Sequence, residues 1–250
     1  MMYMPGQRKS RRSRLKQMPQ QPRKSISGDQ LLNIKALTQN QGLVVRAWEQ
    51  DMNLVLHGAA GTGKTFLSLY LALKDVLSAK TVYDQVCIVR SLVPTREIGF
   101  LPGTLEEKSA VYEMPYKTMV KDMFDVWEEL AMDSLYDSLK ANDVISFWST
   151  SYLRGTTLDN SIILVDEFSN MNFHELDSII TRVGQDSKII FCGDINQSDL
   201  VKLNEKTGIQ DFMGILNRMP EFETVEFGIE DIVRSGLVYS YLVTKTRSGL

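Results

Sequence analysis

The chain has 250 residues, 43% hydrophobic and 24% charged, an ordinary globular composition that excludes a disordered, collagen-like or disulfide-stapled protein. Its net charge of −3 hides an uneven distribution. Residues 1–28 carry eight bases (Arg8, Lys9, Arg11, Arg12, Arg14, Lys16, Arg23 and Lys24) and no acid, which leaves the rest at −11, an acidic body with a basic arm.

In chain order, residues 1–27 are polar and proline-punctuated without periodicity, so a disordered basic tail is expected ahead of a single domain over 28–250. Apolar spacing in LLNIKALTQNQGLVVRAWEQ predicts two short helices broken near Thr38 and Asn40. NLVLH then reads as a buried strand, followed by a glycine-rich turn and the amphipathic helix TFLSLYLALKDVLSA. QVCIVRS is a strand, residues 104–139 one or two helices, and DVISFWS and NSIILVDE strands. FHELDSIITRVG is a helix, SKIIFCGD a strand, IQDFMGILNRM a helix, ETVEF a strand, and EDIVRSGLVYSYLVTKTR a helix. Apolar strands alternating with helices specify an α/β layer architecture, a mostly parallel sheet covered on both faces.

Cys87 and Cys192 sit inside apolar runs and match no metal-ligand spacing, which fits small core residues in a reducing cytosol. No apolar stretch approaches the roughly 20 residues that span a bilayer, and no apolar segment follows the N-terminal charge. A soluble, cytoplasmic protein is expected.

Three segments carry chemistry. Gly58, Ala59, Ala60, Gly61, Thr62, Gly63, Lys64 and Thr65 fit G-x-x-x-x-G-K-[ST], directly after a strand and opening a helix. Such a loop converges backbone N–H groups on phosphate oxygens, with Lys64 at the β and γ phosphates and Thr65 on Mg²⁺. Asp166 and Glu167 end an apolar strand, at the sheet edge that carries ligands in open α/β folds. Asp166 is placed for the Mg²⁺ shell, and Glu167 can orient and deprotonate the water that attacks the γ-phosphate of ATP. Two acids after a strand also make an ordinary solvated turn. Gly193, Asp194 and Gln197 follow another apolar strand; Gln197 can hydrogen-bond the γ-phosphate or the water, although Asp, Asn and Gly equally favour a plain turn.

GAAGTGKTFLSLYLAL, RSLVPTREIGFLPGTLEEK, LRGTTLDNSIILVDEFSNM, TRVGQDSKIIFCGDINQSDL and DIVRSGLV, in this order over residues 30–245, resemble the PhoH family of phosphate-starvation-type ATPases. The resemblance implies a RecA-like P-loop NTPase fold akin to the motor domain of superfamily 1 helicases. It also implies ATP hydrolysis linked to RNA or single-stranded nucleic acid, and ring-like homo-oligomers such as hexamers. On it, residues 58–65 correspond to helicase motif I, Asp166 and Glu167 to motif II, and Gly193, Asp194 and Gln197 to motif III. Gln41 resembles the glutamine that reads the adenine edge. Two departures are Phe168-Ser169 where the family commonly has Ala-Gln, and Arg90-Ser91 where it has Arg-Pro. The compact chain suits a phage-encoded member.

In ring ATPases an arginine of one subunit completes the γ-phosphate site of its neighbour; Arg234, in the late Val-Arg element, is the first candidate and Arg154 the second. The basic tail can bind phosphate backbones through counterion release, or serve solubility or targeting. Trp48, Trp127 and Trp148 fall in apolar patterns and read as core. The leading expectation is a Mg²⁺-dependent ATPase acting with nucleic acid. The alternative is a nucleotide-dependent oligomeric nucleic-acid-binding module with slow turnover and no helicase activity; a small-molecule kinase would leave the third motif without a role.

Overall fold

The computed structural model describes residues 26–91, 105–125, 129–153, 155–195 and 203–248. The basic tail expected over 1–27 lies outside them apart from its last two residues.

Among the described residues six strands form one sheet: β1 (Asn53–Gly58), β2 (Gln85–Arg90), β3 (Ile145–Ser149), β4 (Ser161–Asp166), β5 (Lys188–Gly193) and β6 (Phe222–Phe227). Their spatial order is β3-β2-β4-β5-β1-β6, and every adjacent pair is parallel. The helices are α1 (Gln39–Glu49), α2 (Lys64–Val76), α3 (Leu105–Met123), α4 (Glu129–Ala141), α5 (Phe173–Ile180), α6 (Leu203–Leu216) and α7 (Gly236–Arg247). The expected α/β class with helices on both faces is therefore what the chain adopts.

Side chains alternate across the sheet as strand geometry requires. Leu54, Leu56, Ile162, Leu164, Ile190 and Cys192 pack into one core with α1 to α4, while Val55, Ile163, Val165, Ile189 and Phe191 pack into a second with α5 and α6. This is why β4 and β5 are buried at every position and read as unbroken apolar runs. On the edge strand β6 only Val225 and Phe227 are buried. Both cysteines are buried core residues, and the Cys192 sulfur lies 3.2 Å from the Ser68 hydroxyl of α2. Trp48 belongs to the first core and Trp148 packs against the second; Trp127 falls outside the described residues.

The connection leaving β1 crosses to β2, whereas the one leaving β5 passes over β1 to β6. The carboxyl ends of β1 and β5 thus part into a crevice at a topological switch point, the place where open α/β sheets bind ligands.

Of the expected helices, the one before Thr38 does not form and the last is shorter than its pattern suggested. Before Thr38 there is only a single 3₁₀ turn over Gly28–Gln30. There Leu32 N–H donates to the Met123 carbonyl at 2.8 Å, Asp125 N–H to the Gln30 carbonyl at 2.9 Å, and Ile34 N–H to the Tyr70 hydroxyl, so the backbone is committed to α3 and α2 rather than to itself. Helix α7 begins at Gly236 rather than near Glu230, because Val233 N–H donates to the Gly61 carbonyl at 3.1 Å. Among the described residues, no helix is long and apolar enough to cross a membrane.

Candidate functional site

The glycine-rich loop leaves β1 at Gly58, whose φ is +113°. A Cβ there would run into the Phe227 carbonyl of β6, so the close approach of two backbones demands glycine. The loop is held from three sides. Ala59 N–H donates to Phe227 O at 2.9 Å, and Gly61 O accepts from Val233 N–H. Gln41 of α1 donates from Nε2 to Thr62 O at 3.0 Å while its Oε1 accepts from Leu37 N–H at 2.8 Å. The expected nucleotide-loop residues therefore lie together at the crevice, and Gln41 touches them as a buried strut with both ends of its amide engaged.

Lys64 opens α2. Its Nζ donates to the Gly58 carbonyl at 2.9 Å and the Ala59 carbonyl at 2.7 Å, with Thr62 Oγ1 at 3.3 Å. Burial lowers its pKa against the pull of neighbouring groups that include Cys192, Asp194, Glu167 and Asp166. Gly63 caps α2 without a side-chain hydrogen bond, so the first N–H groups of the helix are left for other acceptors.

The two acids come in from β4. Asp166 is buried, with Oδ1 accepting from Thr65 Oγ1 at 2.7 Å and Oδ2 from the Tyr116 hydroxyl at 2.6 Å. Glu167 sits at φ +54°, ψ +40°, a left-handed conformation that costs a non-glycine residue about 1–2 kcal/mol. Burial and the Asp166 charge raise its pKa, and Arg90 and Lys64 partly offset them. Glu167 is thus a stronger base than a free glutamate, within electrostatic reach of the loop lysine. Arg90, at the end of β2, stacks over Tyr112 at 5.7 Å.

The donor set suits Mg²⁺. A hydroxyl and a carboxylate 2.7 Å apart are hard oxygen ligands at the start of α2, and among the described residues no cluster of three or more His, Cys, Asp or Glu could hold a metal alone. Mg²⁺ is commonly held in this way, by one or two protein oxygens with phosphates and water completing its shell.

Arg234 is exposed, and its Cγ would lie 3.0 Å from a Cβ on Gly61, which puts it beside the loop of its own chain. Gln197 and Arg154 fall outside the described residues. Both departures from the family pattern are structural. Phe168 is buried, meets Phe191 edge-on at 5.9 Å and fills the space over Gly193. Ser91 Oγ donates to Glu175 at 3.4 Å. The residue that sequence reasoning missed is Tyr116: within an amphipathic helix it carries no signal that separates it from core.

The family model described as PhoH-like protein matches residues 33–244. The chain belongs to the PhoH family. It is 32% identical over 206 residues to a PhoH-like protein of Mycobacterium leprae, covering 82% of this chain and 56% of that relative. The PhoH-like protein of Synechocystis sp. is 31% identical over 216 residues, covering 86% and 63%. Protein PhoH of Escherichia coli is 32% identical over 198 residues, covering 77% and 52%. This PhoH-family chain thus spans a little over half the length of these relatives. Among solved structures it is loosely similar to the large terminase of a thermophilic bacteriophage, with TM-score 0.47 and 10% identity over 84% of this chain and 50% of that one. The similarity to Pif1 helicase from Bacteroides in complex with ADP-AlF3 and ssDNA has TM-score 0.40 and 15% identity, over 86% and 47%.

Proposed function

We propose that this PhoH-family protein binds Mg²⁺-ATP at residues 58–65 and hydrolyses it with water activated by Glu167, as a homo-oligomer that engages RNA or single-stranded nucleic acid. The observation that carries this reading is the 2.7 Å hydrogen bond from Thr65 to Asp166, which joins two motifs 101 residues apart in the form that Mg²⁺-nucleotide chemistry uses. Phosphate oxygens exchange for the loop carbonyls that Lys64 now holds, and the free N–H groups at the start of α2 receive them. Thr65 and Asp166 would hold Mg²⁺, which would supply positive charge against the phosphates. Glu167, with its raised pKa, takes the proton of the attacking water.

Gln197 senses the γ-phosphate, and Arg234, beside the loop of its own chain, brings its guanidinium to the γ-phosphate of that same site. Gln41 fixes the loop through Thr62 and turns its remaining amide hydrogen to the base. The oligomer has a physical basis in α7. None of its residues is buried, and Leu237, Val238, Tyr239 and Tyr241 are exposed apolar groups next to Arg234. The basic arm, with eight positive charges in 28 residues, supplies electrostatic affinity for a phosphate backbone. The test is steady-state ATP hydrolysis by the purified chain with and without single-stranded RNA and DNA, alongside size-exclusion chromatography with light scattering. Hydrolysis absent under every condition refutes the enzyme reading. A monomer with unstimulated turnover refutes the oligomer and the partner.

A further inference from the structure

Asp166 has a donor on each carboxylate oxygen, and the two donors come from different helices. Thr65 of α2 serves Oδ1 and Tyr116 of α3 serves Oδ2. Tyr116 is fully buried, and a phenol, with an ordinary pKa of about 10, is a donor throughout the physiological range. Behind it stands Arg90, whose positive charge acts on the Tyr116 phenol. Arg90 also stacks over Tyr112, one helical turn before Tyr116 and on the same face of α3. Asp166 is thus held between two hydroxyls, Tyr116 on one oxygen and Thr65 on the other, with the Arg90 charge behind the phenol.

Helix α3 is itself fixed. Met123 and Phe124 at its end pair with Leu31 and Leu32, and Glu113 forms an ion pair with Lys140 of α4 at 2.7 Å. Terminal carboxylate torsions are broad and roughly two-fold, so an aspartate held only by Thr65 could swing about that bond. The threonine hydroxyl can give its one hydrogen to Asp166 and offer a lone pair to an ion, but a single hydrogen bond to one oxygen leaves the freedom of the carboxylate torsion in conflict with a fixed metal geometry. A second donor removes that conflict.

We propose that Tyr116 is a positioning residue for Asp166: its hydroxyl locks the carboxylate in the orientation that Mg²⁺-nucleotide binding requires and so ties α3 to the nucleotide site. This rests on the nucleotide reading above. Partners that orient a metal-binding group typically change metal affinity by about 10- to 100-fold when removed.

The experiment is calorimetric titration of the full chain with ADP, with and without Mg²⁺. Wild type should bind Mg²⁺-ADP more tightly than ADP. Tyr116→Phe, which keeps the ring and removes the hydroxyl, should lower that ratio about tenfold or more while metal-free ADP affinity stays unchanged. Arg90→Lys, which keeps the charge and loses the planar fork, should lower it less, and should add nothing in the Tyr116→Phe background. An unchanged ratio in Tyr116→Phe overturns the positioning role and leaves the nucleotide site standing. Equal loss of metal-free affinity overturns it as well, because the hydroxyl would then support the loop rather than the ion. A wild-type chain with no Mg²⁺ enhancement overturns the site reading and this inference together. Should Tyr116→Phe not fold, Tyr116→Met serves in its place, and an unchanged ratio there refutes the positioning role.

Discussion

Glu167→Gln separates chemistry from architecture, because the two respond in opposite directions. The ionised carboxylate is disfavoured in the fold by burial and by Asp166, so its folded pKa lies above the unfolded value of about 4.3. For an acid shifted upward, the folded state binds its proton more tightly than the unfolded chain does. That contribution to stability is present at low pH and is lost as pH rises from the unfolded pKa to the folded one. A neutral, isosteric Gln escapes the loss. Glu167→Gln should therefore melt at or above the wild-type temperature at pH 7–8, with the difference vanishing below about pH 4. Turnover should fall at least about 10²-fold, since general bases contribute roughly 10²–10⁴, or at least about 2.7 kcal/mol of barrier, while Mg²⁺-nucleotide affinity is kept. Wild-type kcat should rise with pH through the raised pKa of Glu167, and the variant should lack that limb. The measurements are scanning calorimetry across pH and single-turnover hydrolysis. Near-wild-type turnover would show that the acid only shapes the turn. Reduced stability at neutral pH would show that its charge is favourably paired, contrary to the electrostatic argument.

Lys64→Ala removes the cation that two loop carbonyls and Thr62 surround and should abolish nucleotide binding by calorimetry; undiminished affinity removes the phosphate-loop assignment. Gly193→Ala brings a Cβ to 2.9 Å from Phe168 Cδ1 and 3.2 Å from Ser169 N, in a core where overpacking costs about 1–3 kcal/mol. Its melting temperature should drop, and an unchanged value would mean that the Phe168 ring can yield. Deleting residues 1–25 removes eight positive charges, so affinity for a single strand should fall and the slope of log K against log salt should flatten by about 0.7 for each phosphate the arm no longer neutralises. Basal hydrolysis should persist, because Lys64, Asp166 and Glu167 belong to the folded body, and unchanged affinity and slope would assign binding to that body.

The parts of the molecule legible in the sequence are those whose signal is local. β4 and β5 read as strands because burial on both faces leaves their centres apolar, and the glycine-rich turn between β1 and α2 reads from its own spacing. Thr38, whose side chain accepts from Gln41 N–H, marks the start of α1 where a break was expected. What escaped was set by partners distant in sequence. Residues 32–34 carry apolar groups at helical spacing, yet their N–H groups go to Met123, Leu32 and Tyr70. Residues 232–235 continue a helical pattern, yet Val233 N–H is taken by Gly61. Tyr116 looks like any core aromatic until the fold brings its hydroxyl to Asp166, 50 residues away.

That same long-range pairing explains why the phosphate loop is not a self-contained motif here. Its backbone is pinned by Gln41 from the start of the domain and by Phe227 and Val233 from near its end, and a Cβ on Gly61 would meet Leu242 of α7. The family match over residues 33–244 takes in all of these contacts. Glycines with φ of +76° and +79° at Gly61 and Gly63 have many alternatives in a free loop, and ordering them costs more than for any other residue. Contacts from both ends of the domain meet that cost before a nucleotide arrives. The same arrangement makes the loop responsive to whatever covers α7. On the proposed function, a subunit seated on Leu237 and Tyr241 would bear on the helix that packs against Gly61, and assembly and nucleotide binding would then share one element.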